Sequence, residues 1–212
     1  MIKKYQHLAS TRYLIRRLQT RFIMSEVRDR LYPVVVDIGV GRAPFKKYIQ
    51  HDKYIGIDVE DRGGVPNVLI EDINEGLSLA DNTADLVLIT EVLEHVKKPA
   101  EVINELYRIL KPGGKVVLTT PMTWFIHEAP NDFYRYTNFI LEYFFRQAGF
   151  KIITVRHSNG FKYSLIALVV ARLRKKIWTP VVLVLNAIGY MIHRHEQDRS
   201  LSLGQFVVAY KD

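Results

Sequence analysis

The chain has 212 residues, 48% of them hydrophobic and 25% charged, and its 30 Lys and Arg against 22 Asp and Glu give a formal net charge of +8. That length and apolar share suit one domain with a sheet covered on both faces and exclude a second domain of ordinary size. With no cysteine, disulfides and thiolate zinc centres are excluded; the charge-broken N-terminus lacks a secretory apolar segment, so a cytoplasmic protein is expected.

Charge is unevenly placed: residues 1–32 carry +6, residues 33–155 carry −4 and residues 156–212 carry +6. The flanks therefore point to a partner or surface of their own. In residues 8–30, Leu14, Leu18 and Phe22 recur four apart with Arg12, Arg16, Arg17 and Arg21 around them. This spacing predicts a basic amphipathic helix ending before Pro33, so residues 1–32 read as a basic helical extension.

Val34-Val35-Val36-Asp37-Ile38-Gly39-Val40-Gly41-Arg42-Ala43-Pro44 then reads as a buried strand, a glycine turn and the start of a helix. β-Branched residues suit a strand covered on both faces, and two glycines spaced one apart allow a sharp turn and close approach of backbone to a ligand. Pro44 suits the first turn of a helix whose amides would face that ligand. Tight turns of other α/β proteins and dinucleotide folds share this pattern, although Pro44 stands where the latter keep their last glycine.

Tyr54-Ile55-Gly56-Ile57-Asp58 is a second strand ending in a carboxylate 17 residues after Gly41, where an acid can accept two ribose hydroxyls. Val68-Leu69-Ile70-Glu71-Asp72 is a third, and Asp85-Leu86-Val87-Leu88-Ile89-Thr90-Glu91 a fourth, followed by Val92-Leu93-Glu94-His95-Val96. A helix is predicted over 99–110, where Val102, Ile103, Leu106, Ile109 and Leu110 share one face, and a fifth strand over 115–120. Alternating strands and helices mean a parallel sheet. Thr137 is placed to cap a helix over 138–148 that Gly149 ends.

Strands over 150–155 and 204–210 enclose an insertion, 161–199, with apolar runs at 163–171 and 177–192 split by Arg172-Leu173-Arg174-Lys175-Lys176. Neither run reaches the roughly 20 residues of a comfortable transmembrane helix. A helical hairpin packed on the sheet or on a second subunit is one reading, and an in-plane membrane contact the other.

The segments DIGVG, YIGID, LADNTADLVLITEVLEHV and LKPGGKVVLTTP occur in one order, and through them residues 33–121 resemble class I S-adenosylmethionine-dependent methyltransferases. His127-Glu128-Ala129-Pro130-Asn131-Asp132-Phe133-Tyr134-Arg135-Tyr136-Thr137 is similar to a segment of a bacterial and archaeal subset often linked with glycan or cell-surface polymer synthesis. The resemblance implies a single domain over 1–212. Its fold would be a three-layer Rossmann-like α/β sandwich with a seven-stranded, mostly parallel sheet and an antiparallel last strand.

The same resemblance implies S-adenosylmethionine as cofactor. Asp37 would hold its methionine ammonium, directly or through water, with the backbone at Gly39 and Gly41 passing its tail. Asp58 would take the ribose hydroxyls, Asp72 with the Ile73 amide would meet the adenine edge, and Thr90 and Glu91 would face the methionine portion. On their residue types alone, Asp58 and Asp72 also read as strand-end caps.

Methyl transfer is an in-line displacement that needs the methyl carbon and the acceptor atom aligned roughly 3 Å apart. An oxygen or nitrogen acceptor calls for a base, and imidazole serves near neutrality. His127 is the preferred base. His95, Glu128, Tyr134 and Arg135 are placed on the acceptor side, where a phenol and a guanidinium suit an anionic or sugar group. The alternatives are that His127 and Glu128 pin the loop before Pro130 and that Tyr134, Arg135 and Tyr136 pack on the next helix. Glu91-Val92-Leu93-Glu94-His95 also resembles a run that holds a divalent metal in some quinone-ring O-methyltransferases. Metal-free relatives share those letters, and no metal is assigned.

The acceptor is expected to be a small molecule or a glycan- or lipid-linked compound, with a homodimer or a peripheral contact on the inner face of the membrane to occupy the flanks. An RNA methyltransferase would use the positive charge, but the sequence has no recognisable RNA-binding module and no aromatic-Asn/Asp-Pro-Pro-aromatic run. A noncatalytic scaffold on the cofactor fold is the remaining class.

Overall fold

The apolar runs pair into one seven-stranded sheet in a computed structural model that describes residues 7–193 and 195–212. In chain order come α1 (Tyr13–Val27), β1 (Leu31–Ile38), β2 (Gln50–Asp58), β3 (Leu69–Ile70), β4 (Ala84–Thr90), α2 (Pro99–Ile109), β5 (Leu110–Pro121), α3 (Asn138–Gln147), β6 (Ile152–His157), α4 (Phe161–Arg172), α5 (Thr179–Ile192) and β7 (Gly204–Tyr210). The sheet order is β3-β2-β1-β4-β5-β7-β6, with β7 antiparallel to both neighbours and the other strands parallel. This is the expected three-layer α/β sandwich. The order reverses between β1 and β4, and a crevice forms outside the carboxyl ends of strands at such a point.

Continuous apolar strands follow from burial on both faces. Val36, Val87, Ile89, Val116 and Val207 join the core under α2 and α3, with Leu106 and Phe145. Their neighbours Val35, Leu86, Leu88, Val117 and Val208 join the opposite core, with Leu14, Leu18 and Phe22 of α1 and Tyr163 of α4. The period of two along each strand thus feeds both layers.

Several boundaries differ from the sequence-based ones. The helix expected after Pro44 is a single 3-10 turn, Lys46–Tyr48, because β2 already begins at Gln50 and the buried side chains of Phe45 and Ile49 tie the connection down. The third strand shrinks to Leu69–Ile70 at the sheet edge, whereas the fifth extends back to Leu110. Thr137 sits at the N-cap of α3 but makes no side-chain cap bond. Gly149, at φ 100°, ends that helix as expected.

The N-terminal helix is shorter than 8–30, and residues 1–6 of the expected extension lie outside the described residues. It is a packed element and not a free surface. Lys115 Nζ reaches Glu26 Oε2 at 2.8 Å, and Tyr163 donates to Leu14 O at 2.9 Å. The insertion is the helical hairpin α4–α5, and Asn186 Nδ2 ties it to the chain before α1 through Leu8 O and Ser10 O.

Candidate functional site

A cavity of about 1210 Å³ opens at the switch point, lined by the glycine turn, the end of β4 and residues of α1. The turn is sewn to β2: Gly39 N and Val40 N both donate to Ile57 O, and Gly41 N donates to Asp58 Oδ2 at 2.8 Å. Gly39 and Gly41 have φ of 68° and 51°, the left-handed region that glycine enters freely. Gly64 closes over the turn so tightly that an added Cβ would lie 2.4 Å from Gly41 O. Bare backbone facing a roomy cleft fits an elongated cofactor.

Backbone strain concentrates here. Five non-glycine residues among those described have positive φ, and three of them, Ala43, Glu91 and Glu128, line this cavity. Glu91 is held by its own amide on Thr119 O and by Thr119 Oγ1 donating to Oε1, both at 2.9 Å. Burial raises its carboxyl above the ordinary value, opposed by the Thr119 bond and by Arg16 and Gln19 of α1.

Of the sequence-predicted cofactor residues, Gly39, Gly41, Thr90 and Glu91 line the cavity; Asp37, Asp58, Asp72 and Ile73 do not. Asp37 is buried under the turn and accepts from Tyr54 Oη at 2.5 Å. Desolvation pushes it up to about 7, with the Tyr54 bond opposing and Asp58 adding to the rise. Asp58 holds the glycine turn through Gly41 N, which is the strand-end role. Asp72 caps the 3-10 turn Ile73–Glu75, accepting from Asn74 N at 2.9 Å, and Ile73 packs in the core.

Of the residues expected on the acceptor side, Glu128 lines the cavity, whereas His95 and His127 do not; His95 Nε2 lies 3.8 Å from Glu128 Oε2. The histidine rings meet edge to face at 4.8 Å. His127 Nδ1 lies 3.2 Å from Phe125 O and His95 Nδ1 2.6 Å from Asn131 O. Each ring therefore donates through Nδ1, which leaves Nε2 as the basic nitrogen. Both Nε2 atoms converge on Glu94 Oε1, at 3.7 Å from His95 and 3.9 Å from His127. That oxygen is buried with no hydrogen-bond partner. Burial, reinforced by the charge of Glu91, holds the Glu94 carboxyl well above its usual range.

Tyr134 and Arg135 face elsewhere. Arg135 grips Asp132 through two nitrogens at 2.6 and 2.8 Å and donates to the carbonyls of Trp124, Phe125 and Tyr134. Its guanidinium holds Asp132 far below the carboxylate range. Asp132 in turn accepts from His127 N at 3.0 Å. Tyr134 donates to Lys97 O and Tyr136 to Leu93 O, so the segment fastens its loop onto the turn that carries Glu94 and His95. Arg135 therefore positions His127 and does not present itself to an acceptor.

Sequence reasoning missed the cations of the cavity: Arg16 from α1, Arg42, Lys46 and Lys47 after the turn, and Arg62. Arg62 pairs with Glu60 at 2.8 Å. Lys46 and Lys47 lie over the rings of Tyr54 and Tyr48, at 5.1 and 4.6 Å. Among the described residues, no carboxylate pairs with Arg42, Lys46 or Lys47. The uneven charge was the available signal, but α1 shows that only part of the N-terminal charge faces outward.

Comparison with known proteins agrees with this layout. A family model described as "Methyltransferase domain" matches residues 36–118. The ubiquinone biosynthesis O-methyltransferase of Pseudomonas entomophila (strain L48) is 36% identical over 98 residues, 46% of this chain and 39% of that protein. That of Pseudomonas fluorescens (strain SBW25) is 34% identical over the same shares. The chain thus aligns with about two-fifths of the length of these curated relatives. Among solved structures, an S-adenosylmethionine-dependent methyltransferase from Archaeoglobus fulgidus has a TM-score of 0.63 at 20% identity, covering 99% of this chain and 97% of that one. Haemonchus contortus phosphoethanolamine N-methyltransferase 2, in complex with S-adenosyl-L-methionine, has a TM-score of 0.62 at 17% identity, covering 91% and 52%.

Proposed function

We propose that this chain, whose residues 36–118 match a methyltransferase domain, is a class I methyltransferase that moves a methyl group from S-adenosylmethionine to an oxygen or nitrogen of an acceptor that bears an anionic group. That acceptor is a small molecule or a glycan- or lipid-linked compound. The observation that carries this reading is the shared cavity, in which the glycine turn and the end of β4 meet Arg42, Lys46 and Lys47. The cofactor has a sulfonium and an ammonium against one carboxylate, so it does not itself call for this excess of cations. An acceptor phosphate or carboxylate does.

Bound S-adenosylmethionine supplies an electrophilic methyl group. The protein's part is alignment and proton removal. Gly39 and Gly41 let the backbone approach the donor, and Asp37 would hold its ammonium directly or through water. Asp58 would take the ribose hydroxyls, and Asp72 with the Ile73 amide would meet the adenine. His127 Nε2 receives the acceptor proton. Glu94 and His95 hold that proton's neighbourhood, and Glu128, whose Oε2 is 3.8 Å from His95 Nε2 and which lines the cavity, leads it to solvent. The O-methyltransferase name of the curated relatives makes oxygen the first acceptor atom to test.

A second reading rests on the partnerless Glu94 Oε1. Glu94, His95 and His127 place one ligand atom each within 4.8 Å of one another, and such a set can hold a divalent cation. It differs from the Glu91, Glu94 and His95 run of the sequence, since Thr119 holds Glu91.

Labelled donor offered to matched phosphorylated and dephosphorylated sugar, lipid and phenol acceptors tests the proposal. Transfer is expected only to the anionic member of a pair. His127→Ala should lower turnover by about 100-fold with donor affinity unchanged. Exclusive use of the uncharged acceptors overturns the anionic assignment, and loss of turnover on chelation, restored by a divalent ion, hands the cluster to the metal reading.

A further inference from the structure

We propose that the α4–α5 hairpin, continued by Ile126 of the loop before His127, docks on an anionic lipid surface. Residues 161–192 contain five Lys and Arg and no Asp or Glu. Their inner faces are accounted for: Tyr163, Ala167, Val170 and Val182 are buried, and a Cβ on Gly189 would lie 3.0 Å from Leu14 Cδ1. Their outer faces are apolar where a surface helix of a globular protein is polar. Leu165, Val169, Ile177, Trp178, Val184 and Met191 are 45, 53, 79, 44, 59 and 58% exposed. Exposed apolar side chains gathered on one hairpin in this way mark an interaction site.

The basic side chains decide what covers it. Arg172, Arg174, Lys175 and Lys176 flank the exposed Ile177 and Trp178 at the hairpin turn. No carboxylate among the described residues pairs with any of the four. A second copy docked turn against turn would set these four cations against four with no Asp or Glu in residues 161–192 to separate them, a like-charge contact that opposes association. Lipid acyl chains with anionic headgroups match both features.

Geometry fixes the mode. Helices of 12 and 14 residues span roughly 18 and 21 Å, short of the ~30 Å hydrocarbon core, so they lie in the plane of the interface. No helix among the described residues is long and apolar enough to cross a membrane. The turn also reaches the acceptor loop, since Arg172 lies 4.1 Å from the centroid of the Phe125 ring and the next residue, Ile126, is 83% exposed. Docking therefore sets the loop that carries His127 and Glu128 at headgroup level. On the methyl-transfer reading this presents the cavity to a membrane-held acceptor, whereas the docking itself stands without that reading.

Flotation of the full chain with phosphatidylglycerol-containing and pure phosphatidylcholine vesicles, at low and high salt, tests the proposal. At least about tenfold preference for the anionic vesicles is expected, weakened by salt, with a blue shift of tryptophan fluorescence from Trp178. The triple variant Arg174→Glu, Lys175→Glu, Lys176→Glu should lose about 100-fold in partition, and Ile177→Asn with Trp178→Asn should lower partition by about tenfold. All five positions are exposed, so unchanged melting and donor binding show that each variant folds. Failure to bind either vesicle overturns the proposal, as does equal binding to both, partition untouched by the triple variant, or a stable dimer that the Ile177 and Trp178 changes dissolve. Because vesicle binding is read without turnover, its failure leaves the methyl-transfer reading standing, and absence of donor binding leaves docking standing.

Discussion

The two walls of the cavity are built from different material. One wall, which we assign to the donor, is main chain: the glycine turn, its bonds to Ile57 O and Asp58, and the end of β4 all fall between residues 39 and 91. The other wall, which we assign to the acceptor, is side chains gathered from afar, with Arg16 and Thr20 from α1, Arg42, Lys46 and Lys47 from the loop after the turn, and Glu128 from the loop after β5. A backbone site needs particular residues at particular spacings and leaves a motif. A side-chain site needs only that several loops arrive together, and it can change its acceptor without disturbing the fold.

The largest effect expected from separating the walls is at Arg135. Its removal leaves Asp132, whose side chain is 3% exposed, without its bidentate partner, while the guanidinium itself is 26% exposed. Breaking a buried pair costs 3–5 kcal/mol; with this partial exposure about 2 kcal/mol is expected. Arg135→Ala should therefore lower the melting temperature by roughly 5 °C and acceptor turnover at least about tenfold, with donor affinity within about twofold. Lysine keeps the charge but not the fork, and Arg135→Lys should fall between. Parallel kinetics and calorimetry check this, and an acceptor rate unmoved by the alanine variant would remove the loop from the acceptor wall.

Gly64 probes the other wall. An alanine Cβ there would meet backbone, 2.4 Å from Gly41 O and 2.6 Å from Arg42 C, and no rotamer relieves a clash with main chain. Overpacking of this kind costs about 1–3 kcal/mol, so Gly64→Ala should weaken donor binding about tenfold or more. The fastening of the acceptor loop, probed by hydrogen exchange over 124–136, should be unaffected. If the turn yields without loss of donor affinity, its tight closure is not what shapes the donor site.

Most of the fold was legible because its strands are covered on both faces: the runs at 34–38, 85–91 and 204–210 admit few other readings. The helix after Pro44 was not, since proline suits the start of either an α-helix or a 3-10 turn, and only the arrival of Gln50 in β2 decides between them. At the site, Gly39 and Gly41 announced themselves by spacing. The gathering of Glu94, His95 and His127 did not, because it depends on Asp132 and Arg135 folding one loop onto another. Arg16 was misplaced for a related reason. Helical periodicity gives a polar face, but not whether that face meets water or a cavity.

Asp37 offers the mildest and most specific perturbation, because it lies beneath the donor wall without lining it. Burial raises its carboxyl from 3.8 to about 7, against the opposing bond from Tyr54. With the folded value above the unfolded one, its contribution to stability is fully present below pH 3.8 and is lost as pH rises through about 7. A cation placed against it favours the ionised form, so donor affinity should change the other way, tightening by at most about tenfold per pH unit below about 7, where the carboxyl is half ionised, and levelling off above it. Asp37→Asn should flatten both dependences and weaken donor binding at high pH while barely changing it at low pH. Titration calorimetry across that range, with melting curves alongside, reads both slopes. Retention of the full pH dependence by the asparagine variant would assign it to another group and free Asp37 from any part in holding the ammonium.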